Sequence, residues 1–234
     1  MRSAVAFLTS VGGSRKPDAR TLDWFGVVGA ALGALLGLIW WATERAWTPG
    51  VAAAIVVVAD LGMTGLLHFD GLLDSADGLL PPMDRQRRLE VMASPETGAF
   101  AVGTGAAALL IRWAALSALR PTVLLLASLW CLSRTGMATA ARYLPYARPE
   151  GGLATAFAGR PRPWTLGAGA AAALGLAVLW RPLAGSVAVL SAAGGGALVL
   201  WLARRRIGGY TGDVLGAFGV VAETAGLVVA AAKW

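Results

Sequence analysis

The chain has 234 residues, of which 57% are hydrophobic and only 14% charged, and it carries a net charge of +7. Soluble domains carry about 25% charged residues, so this one has too little polar surface to cover a soluble globule. The composition excludes disorder, collagen and coiled coil, and a single cysteine, Cys131, excludes an intrachain disulfide scaffold. The chain reads as an all-α polytopic membrane protein, a bundle of about seven transmembrane helices forming one integral membrane domain over 1–234.

The first ten residues, Met1 to Ser10, offer too short an apolar core and no small-residue cleavage site for a secretory signal, so the N-terminus is expected to be retained. The first predicted span, 24–42, carries Gly29, Gly33 and Gly37 at helical spacing, which allows another helix to come close. The second is 51–67 and contains Asp60. At its end stands His68-Phe69-Asp70-Gly71-Leu72-Leu73-Asp74-Ser75-Ala76-Asp77-Gly78, followed by the polar segment Asp84-Arg85-Gln86-Arg87-Arg88-Leu89-Glu90. The third span is 99–119, with Arg112 inside it, and the fourth is 122–141, with Cys131 and Arg134. A loop with Arg148 leads to spans five, 165–180, and six, 183–202, with Gly167 and Gly175 as further expected contact points. After Arg204, Arg205 and Arg206 comes Thr211-Gly212-Asp213, and then the last span, 214–232, with Glu223 within it. Trp24, Trp40, Trp41, Trp164, Trp180, Trp201 and Trp234 fall near span ends, as an interfacial aromatic belt requires.

Loop charge orients the bundle. Of 20 lysines and arginines, fourteen fall in the loops on the N-terminal side, including Arg15, Lys16 and Arg160, and four on the other side. Arg112 and Arg134 lie inside spans. Positive charge marks the cytoplasmic face, so the N-terminus is expected inside and the C-terminus outside. The same distribution accounts for the basic charge without a nucleic-acid surface, since no single basic stripe exists.

Acids are scarce, 13 in all, so their placement is informative. Asp70, Asp74 and Asp77 follow i, i+4, i+7 spacing and share one helix face. Three like charges so close either form a solvated loop of acids or call for a cation, and the neighbouring glycines and arginines favour the cation. Carboxylate oxygens favour Mg²⁺ or Mn²⁺, usually held by a few carboxylates together with substrate phosphates. Gly71 and Gly78 flank the acids as points of close backbone approach, and Arg85, Arg87 and Arg88 are read either as a phosphate clamp or as ordinary positive-inside charge. Asp213 lies on the same cytoplasmic face. Glu223, an acid within a span, is a functional residue by default, against the alternative that it pairs with Arg112 or Arg134 and holds helices together. Asp60 carries the same two readings, leaning to the structural one. Arg134 either contacts a phosphate or neutralises a buried acid. His68, the only histidine, is either a satisfied polar residue or a general base beside the acids.

The stretch from Met63 to Gly78 resembles the cobalamin synthase family, the adenosylcobinamide-GDP ribazoletransferases, whose signature has the form H-x-D-G-L-x-D-x-x-D-G. The likeness continues through Asp84-Arg85, Leu89 to Met92, Gly98, Ser133-Arg134, Arg148 with Glu150-Gly151, and Thr211-Gly212-Asp213 with Leu215-Gly216-Ala217 and Glu223. It spans nearly the whole chain in order. Departures are Ser94-Pro95 in place of an acid, the stretch Ser10 to Ser14, and Val220 where a polar residue is usual. The resemblance implies a phosphotransferase that joins adenosylcobinamide-GDP to α-ribazole or its 5′-phosphate, releases GMP, needs Mg²⁺ and lies in the bacterial inner membrane as a multi-pass protein. It implies metal ligation by Asp70, Asp74, Asp77 and Asp213. Phosphate binding falls to Arg85, Arg88, Arg134 and Arg148, and proton transfer to His68, Asp77 or Asp213. Gly71, Gly78, Glu90, Thr211, Gly212 and Glu223 would be supporting residues. The substrates and the bilayer are the expected partners, with association into oligomers or with other enzymes of cobalamin synthesis left open.

Three other readings fit less well. A CDP-alcohol phosphotransferase wants an Ala-Arg pair after the Asp-Gly, where this chain has Leu72-Leu73. An aspartate-rich prenyltransferase needs a second site with paired acids, where only Asp213 is found. A transporter would carry its acids at the bilayer midplane, not at the rim.

Overall fold

The computed structural model describes residues 1–11, 13, 20–148 and 162–234. Among them the secondary structure is helical, with one isolated bridge between Tyr146 and Tyr210. A short helix α1 (Arg2–Leu8) and a 3-10 turn (Leu22–Trp24) lead into α2 (Phe25–Thr43). There follow α3 (Pro49–Met63), α4 (Leu67–Leu79), α5 (Arg85–Val91), α6 (Ala99–Ala118) and α7 (Val123–Tyr143). The chain closes with α8 (Pro163–Trp180), α9 (Pro182–Ile207) and α10 (Gly212–Ala230). Six helical segments among the described residues are long and apolar enough to cross a membrane, or seven if α3 and α4, bent by 89° at their junction, count as one span.

The break corrects the reading of 51–67 as one continuous helix. The chain closes α3 with a Schellman motif: Leu66 N–H donates to Leu61 C=O at 2.9 Å and Gly65 N–H to Gly62 C=O at 3.2 Å. Gly65 takes φ +57°, which costs glycine little, and Leu66 follows at φ +61°, which an L side chain adopts only under compulsion from its surroundings. That surrounding is partly the N-terminal segment. Ser10 N–H donates to Met63 C=O at 2.8 Å and its hydroxyl to Gly62 C=O at 3.0 Å. At 15 residues α3 is roughly 22 Å long, short of the ~30 Å hydrocarbon layer, and α4 turns across the bundle.

α7 and α10 form the centre, and the other helices surround them. The α2–α7 pair rests on glycine: a Cβ at Gly29 would stand 2.3 Å from Trp130 O and one at Gly33 2.2 Å from Leu126 O. At Gly37 it would stand 2.6 Å from Val123 Cα, so the predicted close approach holds along α2. On α8 it does not, because added methyls at Gly167 and Gly175 would meet open space. The tight positions there are Gly169, against Thr135, and on the facing helix Gly185, against Ala177. Exposed Leu174, Leu179, Leu183, Leu190 and Leu198 give α8 and α9 an apolar outer face suited to lipid. The tryptophan belt needs one correction: Trp40 is fully buried, while Trp24, Trp41, Trp164, Trp201 and Trp234 are exposed.

In the interior, four charges meet where water is excluded. Arg112 donates to Asp60 at 2.9 Å and to Glu223 at 3.0 Å, and Arg134 pairs with Glu223 through its other oxygen. Ser133 Oγ donates to Glu223 at 2.7 Å and Trp130 Nε1 to Asp60 at 2.9 Å. Two cations thus balance two anions, and each carboxylate oxygen has a partner, the condition under which buried charge is tolerated. The structural alternative for Glu223 and Asp60 is the one observed.

Candidate active site

The carboxylates meet where α4 crosses the N-terminal end of α10, and the crossing depends on two glycines. A Cβ at Gly71 would stand 2.7 Å from Asp213 O, and one at Gly216 3.0 Å from His68 O. Gly71 is therefore tight against Asp213 itself, which sets the Asp70 and Asp74 face of α4 beside it. The Thr211-Gly212-Asp213 sequence then acts locally. Thr211, fully buried, caps α10 by accepting from Val214 N–H at 3.3 Å and donates its hydroxyl hydrogen bond to Asp213 Oδ2 at 3.2 Å. Gly212 is the first helical residue, and Asp213 lies in the first turn, where the helix dipole favours an anion.

Asp213, Asp70 and Asp77 all lie near enough to Asp74 to repel its charge, with Asp213 the strongest, while Arg148 opposes them. Arg148 donates to Asp213 at 3.1 Å and more weakly to Met92 C=O at 3.4 Å, and its buried Nε has no partner among the described residues. Asp70 is exposed and Asp74 and Asp213 are half-buried, so three carboxylates border open space. Asp77 is different. It is buried, and its two oxygens accept from the N–H groups of Gly98 at 2.5 Å and Ala101 at 2.9 Å, anchoring the start of α6. A methyl at Gly98 would collide with that carboxylate.

The other expected residues separate in the same way. Arg88 is buried and donates to Gly78 C=O at 2.8 Å and Leu79 C=O at 3.1 Å, tying α5 to the end of α4. Gly78 leaves room for Met92 beneath α5. Burial and the nearby Arg206 draw the Arg88 pKa below the ordinary arginine range, and Asp84 opposes the shift. Arg134 is engaged by Glu223 in the interior. His68 is buried and faces the small space between Asp60, Arg112, Arg134 and Glu223, with Nε2 unpartnered among the described residues. Arg85 lies near the surface, donating to Ala147 C=O at 3.2 Å. Glu90 is exposed and accepts from Gln86 Nε2 at 3.1 Å and Arg87 at 3.3 Å. Glu150, Gly151, Arg160, Arg15, Lys16, Gly12 and Ser14 lie outside the described residues.

Beside Asp213 opens a groove of about 940 Å³ bordered by Arg85, Gln86, Glu90, Tyr146 and Arg148. Sequence reasoning missed Tyr146 and Gln86. The available signal was Tyr146 itself, one of three tyrosines, set directly after Pro145. Ala147 N–H bonds Tyr210 C=O at 2.9 Å and Tyr210 N–H bonds Pro145 C=O at 3.0 Å. The two tyrosine rings stand edge to face at 5.4 Å, so this wall is tied to the loop before α10. Among the described residues, no three His, Cys, Asp or Glu side chains converge tightly enough to form a metal cage.

The chain is similar to known proteins over nearly its whole length. The chain is 35% identical over 216 residues to an adenosylcobinamide-GDP ribazoletransferase of Chlorobaculum parvum, covering 90% of this chain and 85% of the relative. It is 34% identical over 242 residues to the enzyme of that name from Bradyrhizobium diazoefficiens, covering 99% and 93%. A third relative of the same name, from Deinococcus radiodurans, is 36% identical over 227 residues, covering 94% of this chain and 81% of its own. No solved structure matches. The sequence model of the cobalamin-5-phosphate synthase family matches residues 1–231, and the chain, with its acids brought together across α4 and α10, belongs to that family.

Proposed function

We propose that the chain transfers the adenosylcobinamide-phosphate group of adenosylcobinamide-GDP to a hydroxyl of α-ribazole or α-ribazole 5′-phosphate, working at the cytoplasmic face of a bacterial inner membrane. The observation that carries this reading is the meeting of Asp70 and Asp74 with Asp213, with Arg148 bonded to Asp213 at 3.1 Å. Fourteen of the 20 basic residues lie on the side where these groups stand, which is the reason for placing the site inside and the C-terminus outside.

The donor set suits Mg²⁺ in one specific way. Oxygen-only side chains bordering open space, without a closed cage, match a small dication that keeps water and is completed by substrate phosphates. The residues to hold it are drawn from Asp70, Asp74 and Asp213, with one carboxylate of the Asp70–Asp74 pair left free of the ion. Asp77, already accepting two backbone N–H groups, orients α6 and the end of α4. When bound, the ion neutralises charge on the pyrophosphate. Phosphoryl transfer otherwise rests on positioning and charge balance, which Arg148 and Arg85 provide at the groove. The acceptor oxygen attacks the cobinamide-side phosphorus, and the bond to the bridging oxygen breaks. That oxygen leaves on GMP, and the hydroxyl proton passes to a carboxylate of the Asp70–Asp74 pair. His68 faces the interior charges, so the proton acceptor is assigned to the carboxylates.

The test is product formation in liposomes from adenosylcobinamide-GDP, α-ribazole phosphate and Mg²⁺, following GMP and the cobalamin product. The wild type should turn over, chelation should abolish the reaction, and Asp74→Asn should lose about 10³-fold or more in rate, as expected when a charge-stabilising group is removed. Absence of product from folded wild type, or release of CMP from a CDP-alcohol instead, would overturn the assignment.

A further inference from the structure

The proposed reaction leaves one feature of the groove unused. Among the described residues that line it, Glu90 is the only acid, and it stands in a recess beside two cations, Arg85 and Arg148, which the proposed reaction assigns to phosphate. An anion in a phosphate groove opposes binding unless it serves a donor-rich group. Glu90 also has two donors on its own helix: Gln86 Nε2 donates to Oε1 at 3.1 Å and Arg87 to Oε2 at 3.3 Å. Each oxygen accepts one hydrogen bond and retains a free lone pair, so the carboxylate presents a two-acceptor fork.

Resting on the reading of the donor given above, we propose that this groove binds the guanosine monophosphate end of the nucleotide donor, with Glu90 reading the guanine base. Guanine offers N1–H and N2–H₂ side by side, a donor pair that matches a carboxylate fork. Adenine offers an acceptor at N1, which the carboxylate repels, and hypoxanthine keeps N1–H but lacks the amino group. Tyr146, braced by Tyr210, supplies the aromatic surface against which a purine stacks. Arg85, on the same helix as Glu90, is the cation offered to the nucleotide phosphate. Arg148, bonded to Asp213, marks the end of the groove nearest the reacting phosphorus. The placement gives the leaving nucleotide its own seat beside the carboxylates and accounts for an acid in a basic groove.

The measurement is direct binding of GMP, IMP, XMP and AMP to the full-length protein in nanodiscs, with adenosylcobinamide-GDP turnover assayed alongside. The wild type should bind GMP about 10-fold more tightly than IMP, and AMP more weakly still, as expected when one charge-assisted hydrogen bond is lost. In Glu90→Gln, GMP affinity should fall about 10- to 100-fold with IMP less affected. XMP, which carries an oxygen at C2, should gain affinity because the amide donates to it. Equal binding of GMP, IMP and AMP by wild type would overturn the proposal without reference to any variant. So would a Glu90→Gln protein that keeps wild-type selectivity. Selective GMP binding by a protein that makes no cobalamin product would instead retain the groove and reject the reaction.

Discussion

Glu223 and Asp74 are both acids in a membrane protein, and their surroundings assign them opposite tasks. Glu223 accepts from Arg112, Arg134 and Ser133 beside only a small enclosed space. Asp74 is half-buried, with Asp213, Asp70 and Asp77 near enough to repel its charge. Removing one partner of a buried ion cluster leaves uncompensated charge at a cost of about 3–5 kcal/mol. Glu223→Ala should therefore lower the thermal midpoint of the detergent-solubilised protein, while Asp74→Asn should leave it unchanged or raise it by relieving repulsion. A Glu223→Ala protein as stable as wild type would show that the interior charges are not holding the helices. The sequence left Glu223 between a functional and a structural reading, and placed Asp74 with the acids that call for a cation. Spacing identifies who shares a helix face, but the partner of Glu223 lies 111 positions away at Arg112.

Among elements, the α4–α10 crossing decides whether a site exists at all. Because Gly71 lies directly on the Asp213 backbone, even one methyl there must push the helices apart or shift the carboxylates. Gly71→Val should reduce turnover by about 10²-fold or more, the scale at which roughly 1 Å of misplacement acts, while the protein still inserts and folds. By contrast Gly167→Ala, which meets nothing within 4 Å, should leave turnover as it is. Comparable rates for the two variants would exclude the crossing as the positioning element. Both glycines stood out as small residues in apolar or acidic stretches, and nothing local distinguished the one under backbone contact from the one facing open space. The α3–α4 break was also legible only in part. Gly65 is the expected residue for a helix-ending left-handed turn, yet the apolar run continued through Leu66 and Leu67 and concealed the stop.

For the whole molecule, the charge distribution makes a topological prediction. With Cys131 replaced by Ala to give a cysteine-free background, single cysteines at the exposed positions Arg205 and Ala46 report the two faces. Arg205→Cys should react with an impermeant maleimide only from the cytoplasmic side and Ala46→Cys only from the other. Labelling of both from one side would undo the orientation and the placement of the site with it.

Residue order alone established that the chain is a helical membrane protein with about seven apolar segments, that its loop charge is uneven, and which motifs relate it to its family. These are properties of composition and of residues close along the chain: apolar runs set length, loop charge sets orientation, and the Asp-Gly pattern is contiguous. How those residues are employed follows from the packing of the helices. It turned the Asp70–Asp77 helix across the bundle, brought Asp213 to Asp70 and Asp74, and committed Asp77 and Arg88 to neighbouring backbone. It also took His68 and Arg134 into the interior charge cluster and joined Tyr146 and Glu90 in one groove. The physical reason is that a buried polar group must find a partner wherever the packing supplies one. In a helical bundle the partner lies on another helix, at a distance along the chain that no local pattern records.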